Sequence, residues 1–127
     1  MAEKTKNLKG SCLCGKVLFS LASPYSGLWF CHCTQCRKNY GLHGAFIGVA
    51  DENAKVKHPE NIRWYRSSKE VKRGFCKICG SPIMWKKKDS THTFFLPGLI
   101  DGRTYMKRGK NIFVKEKGDY YTLPRLK

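Results

Sequence analysis

The stretch Cys31-His32-Cys33-Thr34-Gln35-Cys36-Arg37-Lys38 places three thiols within six residues, too close together for a packed core to form between them. Such spacing reads as metal ligation. Two further pairs flank it: Cys12 and Cys14 upstream, and Cys76 and Cys79 downstream in the run Cys76-Lys77-Ile78-Cys79-Gly80. A chain that must gather these clusters is organised by them, and the way the thiols are shared among ions decides its architecture.

A structural zinc site takes four protein ligands, whereas a catalytic one takes three and keeps a position open for water or substrate. The seven cysteines divide on that rule into four and three. The two outer pairs, Cys12, Cys14, Cys76 and Cys79, make a closed structural site that staples the first strand to the late knuckle. Cys31, Cys33 and Cys36 remain as an open site of the catalytic kind. In an extended chain residues two apart point to one side, so Cys12 and Cys14 face one ion while Leu13 turns away, and Cys31 and Cys33 repeat the pattern. A competing reading closes the second site with His32 or His43, although strand alternation turns His32 away from its neighbours. Iron in the four-thiolate site is a further alternative, since geometry alone does not separate it from zinc. His32, His58 and His92 read as surface or hydrogen-bonded residues.

Zinc on three thiolates carries a net negative charge and is a weaker Lewis acid than zinc on three neutral histidines. It suits the exchange of one more soft ligand, such as a thiol, or the orientation of a small carbonyl. Arg37 and Lys38 follow Cys36 directly. They read either as charge partners that attract an anionic substrate or as a solvated pair capping a short helix.

A chain of 127 residues suits one domain. Residues 1–9, with three lysines, read as a flexible basic tail, and residues 10–127 as a single zinc-binding β domain. The first residues are polar, without the apolar run of a signal peptide, and no apolar stretch is long enough to span a bilayer. The expectation is a cytoplasmic protein with no membrane partner. In a reducing compartment, an odd number of cysteines at C-x-C and C-x-x-C spacings argues against a disulfide framework. The formal net charge is +16; seven thiolates on two divalent ions would lower it by three and leave the chain strongly basic. Lysines spread along the chain favour a solvated basic surface over a dedicated nucleic-acid face.

Short β-favouring runs between turn residues predict a mainly β, antiparallel domain with at most one or two helical turns. Strands are expected at 16–21, 28–30, 44–50, 62–66, 82–85, 93–96 and 111–114, residues 71–75 lead into the Cys76–Gly80 knuckle, and the lysine-rich 86–90 reads as a turn. Residues 34–40 are expected to form a short helical turn that ends at Gly41 and swings Cys36 back toward Cys31 and Cys33. Trp29, Trp64, Tyr65 and Trp85 lie within strand patterns and read as core.

With Gly10-Ser11-Cys12-Leu13-Cys14-Gly15-Lys16-Val17, then Cys31-His32-Cys33-Thr34-Gln35-Cys36-Arg37, then Phe75-Cys76-Lys77-Ile78-Cys79-Gly80-Ser81, the chain resembles the glutathione-dependent formaldehyde-activating enzyme family, which includes the centromere protein V domain. The similarity extends over residues 8–117, and Arg73 and Ser67-Ser68 also fit its pattern. The resemblance implies a β-tent fold of antiparallel sheets. It implies two zinc ions per chain, a structural one on Cys12, Cys14, Cys76 and Cys79 and a catalytic one on Cys31, Cys33 and Cys36. The implied reaction is carbon–sulfur lyase chemistry run backwards: formaldehyde, or a related small aldehyde, condenses with glutathione, or a related thiol, to an S-hydroxymethyl adduct. Arg37, Arg73 and Arg103 are the candidates for holding the carboxylates of glutathione as co-substrate, with supporting roles for Gln35 and His43. Relatives often carry His where this chain has Asn111, which cannot act as a general base. The alternative is a non-enzymatic zinc module whose basic surface binds nucleic acid or another acidic partner.

Overall fold

Among the described residues, runs of four to seven residues become ten short strands, and one α-helix stands among them. The computed structural model describes residues 7–106 and 109–124. Strands β1 (Leu8–Ser11), β2 (Leu18–Leu21) and β5 (Ala54–Lys57) form a three-stranded antiparallel sheet in the order β1-β2-β5. The larger sheet holds β3 (Leu28–Cys31), β4 (Gly44–Ala50), β6 (Ile62–Arg66), β7 (Val71–Cys76), β8 (Pro82–Lys87), β9 (His92–Phe95) and β10 (Gly109–Ile112). Its order is β10-β3-β4-β9-β8-β7-β6. Every pairing is antiparallel except β10 against β3, which runs parallel with Ile112 opposite Cys31. Helix α1 (Thr34–Tyr40) lies between β3 and β4.

Strand β4 explains the two-sided core. Ile47 and Val49 point into the main cluster with Val17, Phe19, Leu21, Ile83 and Phe95, while Phe46 points the other way, into a smaller cluster with Cys31 and Cys36. A strand covered on both faces reads as a continuous apolar run, as residues 44–50 do. Gly48 faces Phe94 across the β4/β9 pair. A Cβ there would stand 2.6 Å from the Phe94 ring, so the glycine is what lets that ring lie over the strand.

The structure moves several sequence-based boundaries. Residues 8 and 9 do not belong to a tail: Leu8 is buried and pairs with Leu21, because its side chain completes the small sheet's inner face. Residues 1–6 of the expected tail lie outside the described residues. The last strand begins earlier than 111 and stops at Ile112; Phe113 adopts φ 55 and opens a 3-10 turn at Val114–Glu116. Strand β5, a polar segment in sequence, forms because β2 offers it an open edge. Lys86 and Lys87 belong to β8 rather than to the turn, with the Lys86 ammonium on Asp51 at 2.5 Å. Trp64 and Tyr65 are not core. They stand exposed on β6, the edge strand, where no further strand covers them. Among the described residues no helix is long and apolar enough to cross a membrane.

Candidate metal centres

Cys12 and Cys14 sit on a tight loop at the end of β1, closed by Cys12 N–H to the Val17 carbonyl and Gly15 N–H to the Cys12 carbonyl. The knuckle at the end of β7 closes likewise: Cys76 N–H donates to the Ser81 carbonyl and Gly80 N–H to the Cys76 carbonyl. Gly80 takes φ 80, a left-handed turn that a Cβ would strain. These loops bring four sulfurs within 4.8 Å of one another. Cys12 and Cys14 sulfurs are 3.6 Å apart and those of Cys14 and Cys76 3.7 Å. A tetrahedral zinc with Zn–S bonds of about 2.3 Å separates its sulfurs by about 3.8 Å, whereas a disulfide needs about 2.05 Å. The loops are therefore spaced for an ion. Backbone N–H groups of Val17, Ile78 and Cys79 donate to the Cys12 and Cys76 sulfurs at 3.3 to 3.5 Å, as anionic thiolates require.

The second cluster is built by one strand end and one helix start. Strand β3 delivers Cys31, while Cys33 is the N-cap of α1 and accepts the Cys36 N–H at 3.4 Å. This corrects the expected strand alternation of Cys31 and Cys33, since β3 has ended before Cys33. The helical turn does bring Cys36 back and does end at Gly41, which takes φ 89. The three sulfurs lie within 4.8 Å of one another. Among the described residues neither His32 nor His43 joins them.

His32 is hydrogen-bonded, as expected, but fully buried rather than at the surface. Its Nε2–H donates to Asn111 Oδ1 at 2.9 Å, which leaves Nδ1 to accept the Tyr121 hydroxyl at 2.5 Å. The His43 ring lies tilted against His32 with centroids 4.9 Å apart, and burial holds its pKa below the usual value.

Arg73 supplies the charge logic. It is 8% exposed, and its Nε donates to Ser67 Oγ at 3.0 Å, Nη1 to the Tyr40 hydroxyl at 3.1 Å and Nη2 to Gln35 Oε1 at 3.3 Å. Both Nη atoms stand 3.9 Å from the Cys36 sulfur. Among the described residues no carboxylate pairs with it. A buried guanidinium without a counter-charge is costly, and the sulfur cluster is the anion it faces. The sulfurs in turn cannot all ionise unaided. Hydrogen bonding with Cys36 foremost, against the opposing effect of burial, brings Cys31 down to about 6, while the same contact, together with burial, pushes Cys36 upward. Three thiolates, one divalent cation and one guanidinium sum to zero, so the donor set fits zinc.

The other candidate arginines are not brought to the sulfurs. Arg37 faces Glu116 and Tyr121 from α1, with its buried Nε lacking a hydrogen-bond partner. Arg103 is exposed and lies over the Tyr105 ring.

A cavity of about 320 Å³ has Cys31, Cys33 and Cys36 in its lining and is walled by Trp29, Phe46, Trp85, Phe94, Ile112 and Phe113. Among the described residues Arg73 is its one lining cation, and no carboxylate or histidine lines it. A larger depression of about 890 Å³ beside β6 and the knuckle has no cysteine in its lining. Sequence reasoning missed the walls Phe46 and Phe94 as well as Glu116 and Tyr121, because only the tertiary arrangement of β4, β9 and the chain after β10 brings them to the site.

A family model described as "Glutathione-dependent formaldehyde-activating enzyme" matches residues 7–116. An uncharacterized lyase of Schizosaccharomyces pombe is 25% identical over 115 residues, covering 89% of this chain and 82% of that protein. The crystal structure of a Rhodobacter sphaeroides protein is similar in fold, with TM-score 0.63 and 21% identity over 75% of this chain and 89% of that one.

Proposed function

The chain belongs to the glutathione-dependent formaldehyde-activating enzyme family, and from that membership we propose a zinc-dependent enzyme of carbon–sulfur lyase type that adds a thiol to a small aldehyde. Cys12, Cys14, Cys76 and Cys79 would hold a structural zinc, and Cys31, Cys33 and Cys36 a catalytic one. When bound, the second ion supplies a Lewis acid with a position open to a soft donor or a carbonyl oxygen. The observation that carries the reading is Arg73, a buried guanidinium with no carboxylate, aimed at three clustered sulfurs in the lining of a cavity.

The chain's own residues do the rest. Arg73 offsets the thiolate charge and is itself held by Ser67, Tyr40 and Gln35. The aromatic walls exclude water and hold thiol and carbonyl side by side, which turns a bimolecular addition into a local one. The S–H adds across C=O: a C–S bond forms, the carbonyl π bond breaks, and the thiol proton ends on the new hydroxyl. With no histidine or carboxylate lining the cavity, that proton travels through water or directly from the thiol. Glutathione and formaldehyde are the family's pair and the first to test. Exchange NMR of formaldehyde with glutathione should show faster interconversion with zinc-loaded protein than without it. Metal analysis should find two zinc ions per chain, with Cys36→Ser losing one and keeping the fold. A single zinc in fresh protein, or no acceleration, would refute the assignment.

A second reading has one observation in its favour. Exposed Trp64 and Tyr65 are flanked by Arg63 and Arg66 on the edge strand β6, the mixture that stacks and neutralises single-stranded nucleic acid. Salt-sensitive binding of an oligonucleotide that is lost in Trp64→Ala would support it.

A further inference from the structure

The cavity beside Cys31, Cys33 and Cys36, about 320 Å³, has to take the reactive end of the thiol as well as the carbonyl partner, and formaldehyde would touch little of its wall. Its walls are mostly apolar and ordered among themselves. Trp85 and Phe94 stack face to face with centroids 4.5 Å apart and planes 7° from parallel, and Phe46 packs edge-on to Trp85 at 5.6 Å. That pair forms a flat slab, held down by the Gly48 contact beneath Phe94. A dry aromatic surface of this kind gains most from another ring.

Charged groups find little there. Glutathione carries two carboxylates and an ammonium, each costly to bury unpaired. The one lining cation, Arg73, already donates to Ser67, Tyr40 and Gln35 and faces Cys36. Arg37 and Arg103 do not line the cavity.

Resting on the thiol-addition reading above, we propose that the carbonyl partner is an aldehyde with an aromatic arm, seated against the Trp85–Phe94 slab with its carbonyl toward the three sulfurs. The chemistry balances as before: the thiol S–H adds across C=O, with no change of oxidation state and no leaving group. Any charged part of the thiol stays outside, past Phe113, a lining residue that is 60% exposed.

Exchange NMR on the zinc-loaded full chain tests this with 2-mercaptoethanol as the common thiol and phenylacetaldehyde or formaldehyde as partner. The expected result is an acceleration over background at least tenfold greater for phenylacetaldehyde. Phe94→Ala should reduce that acceleration about tenfold more than it reduces the acceleration with formaldehyde. Should Phe94→Ala fail to fold, Phe113→Ala at the exposed rim is expected to reduce it severalfold. Equal or greater acceleration with formaldehyde overturns the inference and leaves thiol addition standing. Acceleration confined to benzyl mercaptan with formaldehyde also overturns it, by placing the ring on the thiol. No acceleration with any pair refutes thiol addition and this inference with it. Saturation-transfer NMR separates the two failures, because absence of phenylacetaldehyde binding counts against the aromatic arm alone.

Discussion

Arg73 is the residue on which the second centre turns. Its guanidinium is fixed by three neutral acceptors and faces sulfur with all remaining capacity, so its charge would be matched by three thiolates sharing a divalent ion, which together carry −1. Arg73→Leu should weaken zinc at that cluster by tenfold or more, the usual scale for a residue supporting metal ligands, and leave the four-cysteine zinc in place. Arg73→Lys should recover little of the loss, because an ammonium cannot reproduce the planar fork that reaches Ser67, Tyr40 and Gln35 together. Zinc competition with a chromophoric chelator reads both. Equal release from both clusters in Arg73→Leu would show that the effect is on folding.

Helix α1 is too short to stand alone and is held at both ends by the chain that returns after β10. Glu116 accepts from the Thr34 N–H and hydroxyl at 2.8 and 2.9 Å, capping the helix start, and the Tyr120 hydroxyl donates to the Gly41 carbonyl at its end. The bonds from Thr34 hold the Glu116 carboxyl below its usual pKa. A folded pKa below the unfolded one means that its stabilisation is complete above the ordinary carboxylate range and is lost as pH falls through the folded value. Thermal melts of wild type and Glu116→Gln should therefore differ at neutral pH and converge under acid; a constant difference at all pH values would rule out the cap. Behind the helix, His32 joins β3 to Asn111 and Tyr121. Tyr121→Phe leaves the buried Nδ1 without a donor, for which a loss of about 1–3 kcal/mol is expected. Urea unfolding measures it, and an unchanged midpoint would show that the bond contributes nothing.

For the whole molecule, the four-cysteine site is a cross-link between distant parts of the chain. It ties the β1/β2 hairpin to the knuckle between β7 and β8, with Cys14 and Cys76 separated by 62 positions. In so small a domain a structural zinc contributes folding energy outright. Cys79→Ser, or a strong chelator, should abolish cooperative unfolding by circular dichroism, whereas Cys36→Ser should keep it. A Cys79→Ser protein that melts as wild type would remove the structural role.

The partition of the thiols was legible in the residues themselves, because ligand spacing, the helical turn at 34–40 and the glycines at 41 and 80 are short-range features. The strands at 28–30, 44–50 and 62–66 were legible for the same reason. What the chain could not declare locally is which distant residues meet. His32 reads as a surface or hydrogen-bonded residue, and only Asn111 and Tyr121, 79 and 89 positions away, bury it and supply its bonds. Trp64 and Trp85 share the same alternating pattern, yet one lies on the open edge and the other walls the cavity, because strand order in the sheet rather than periodicity decides what covers a face. The two thiol clusters thus follow from the sequence, while the aromatic cavity beside one of them is set by tertiary register.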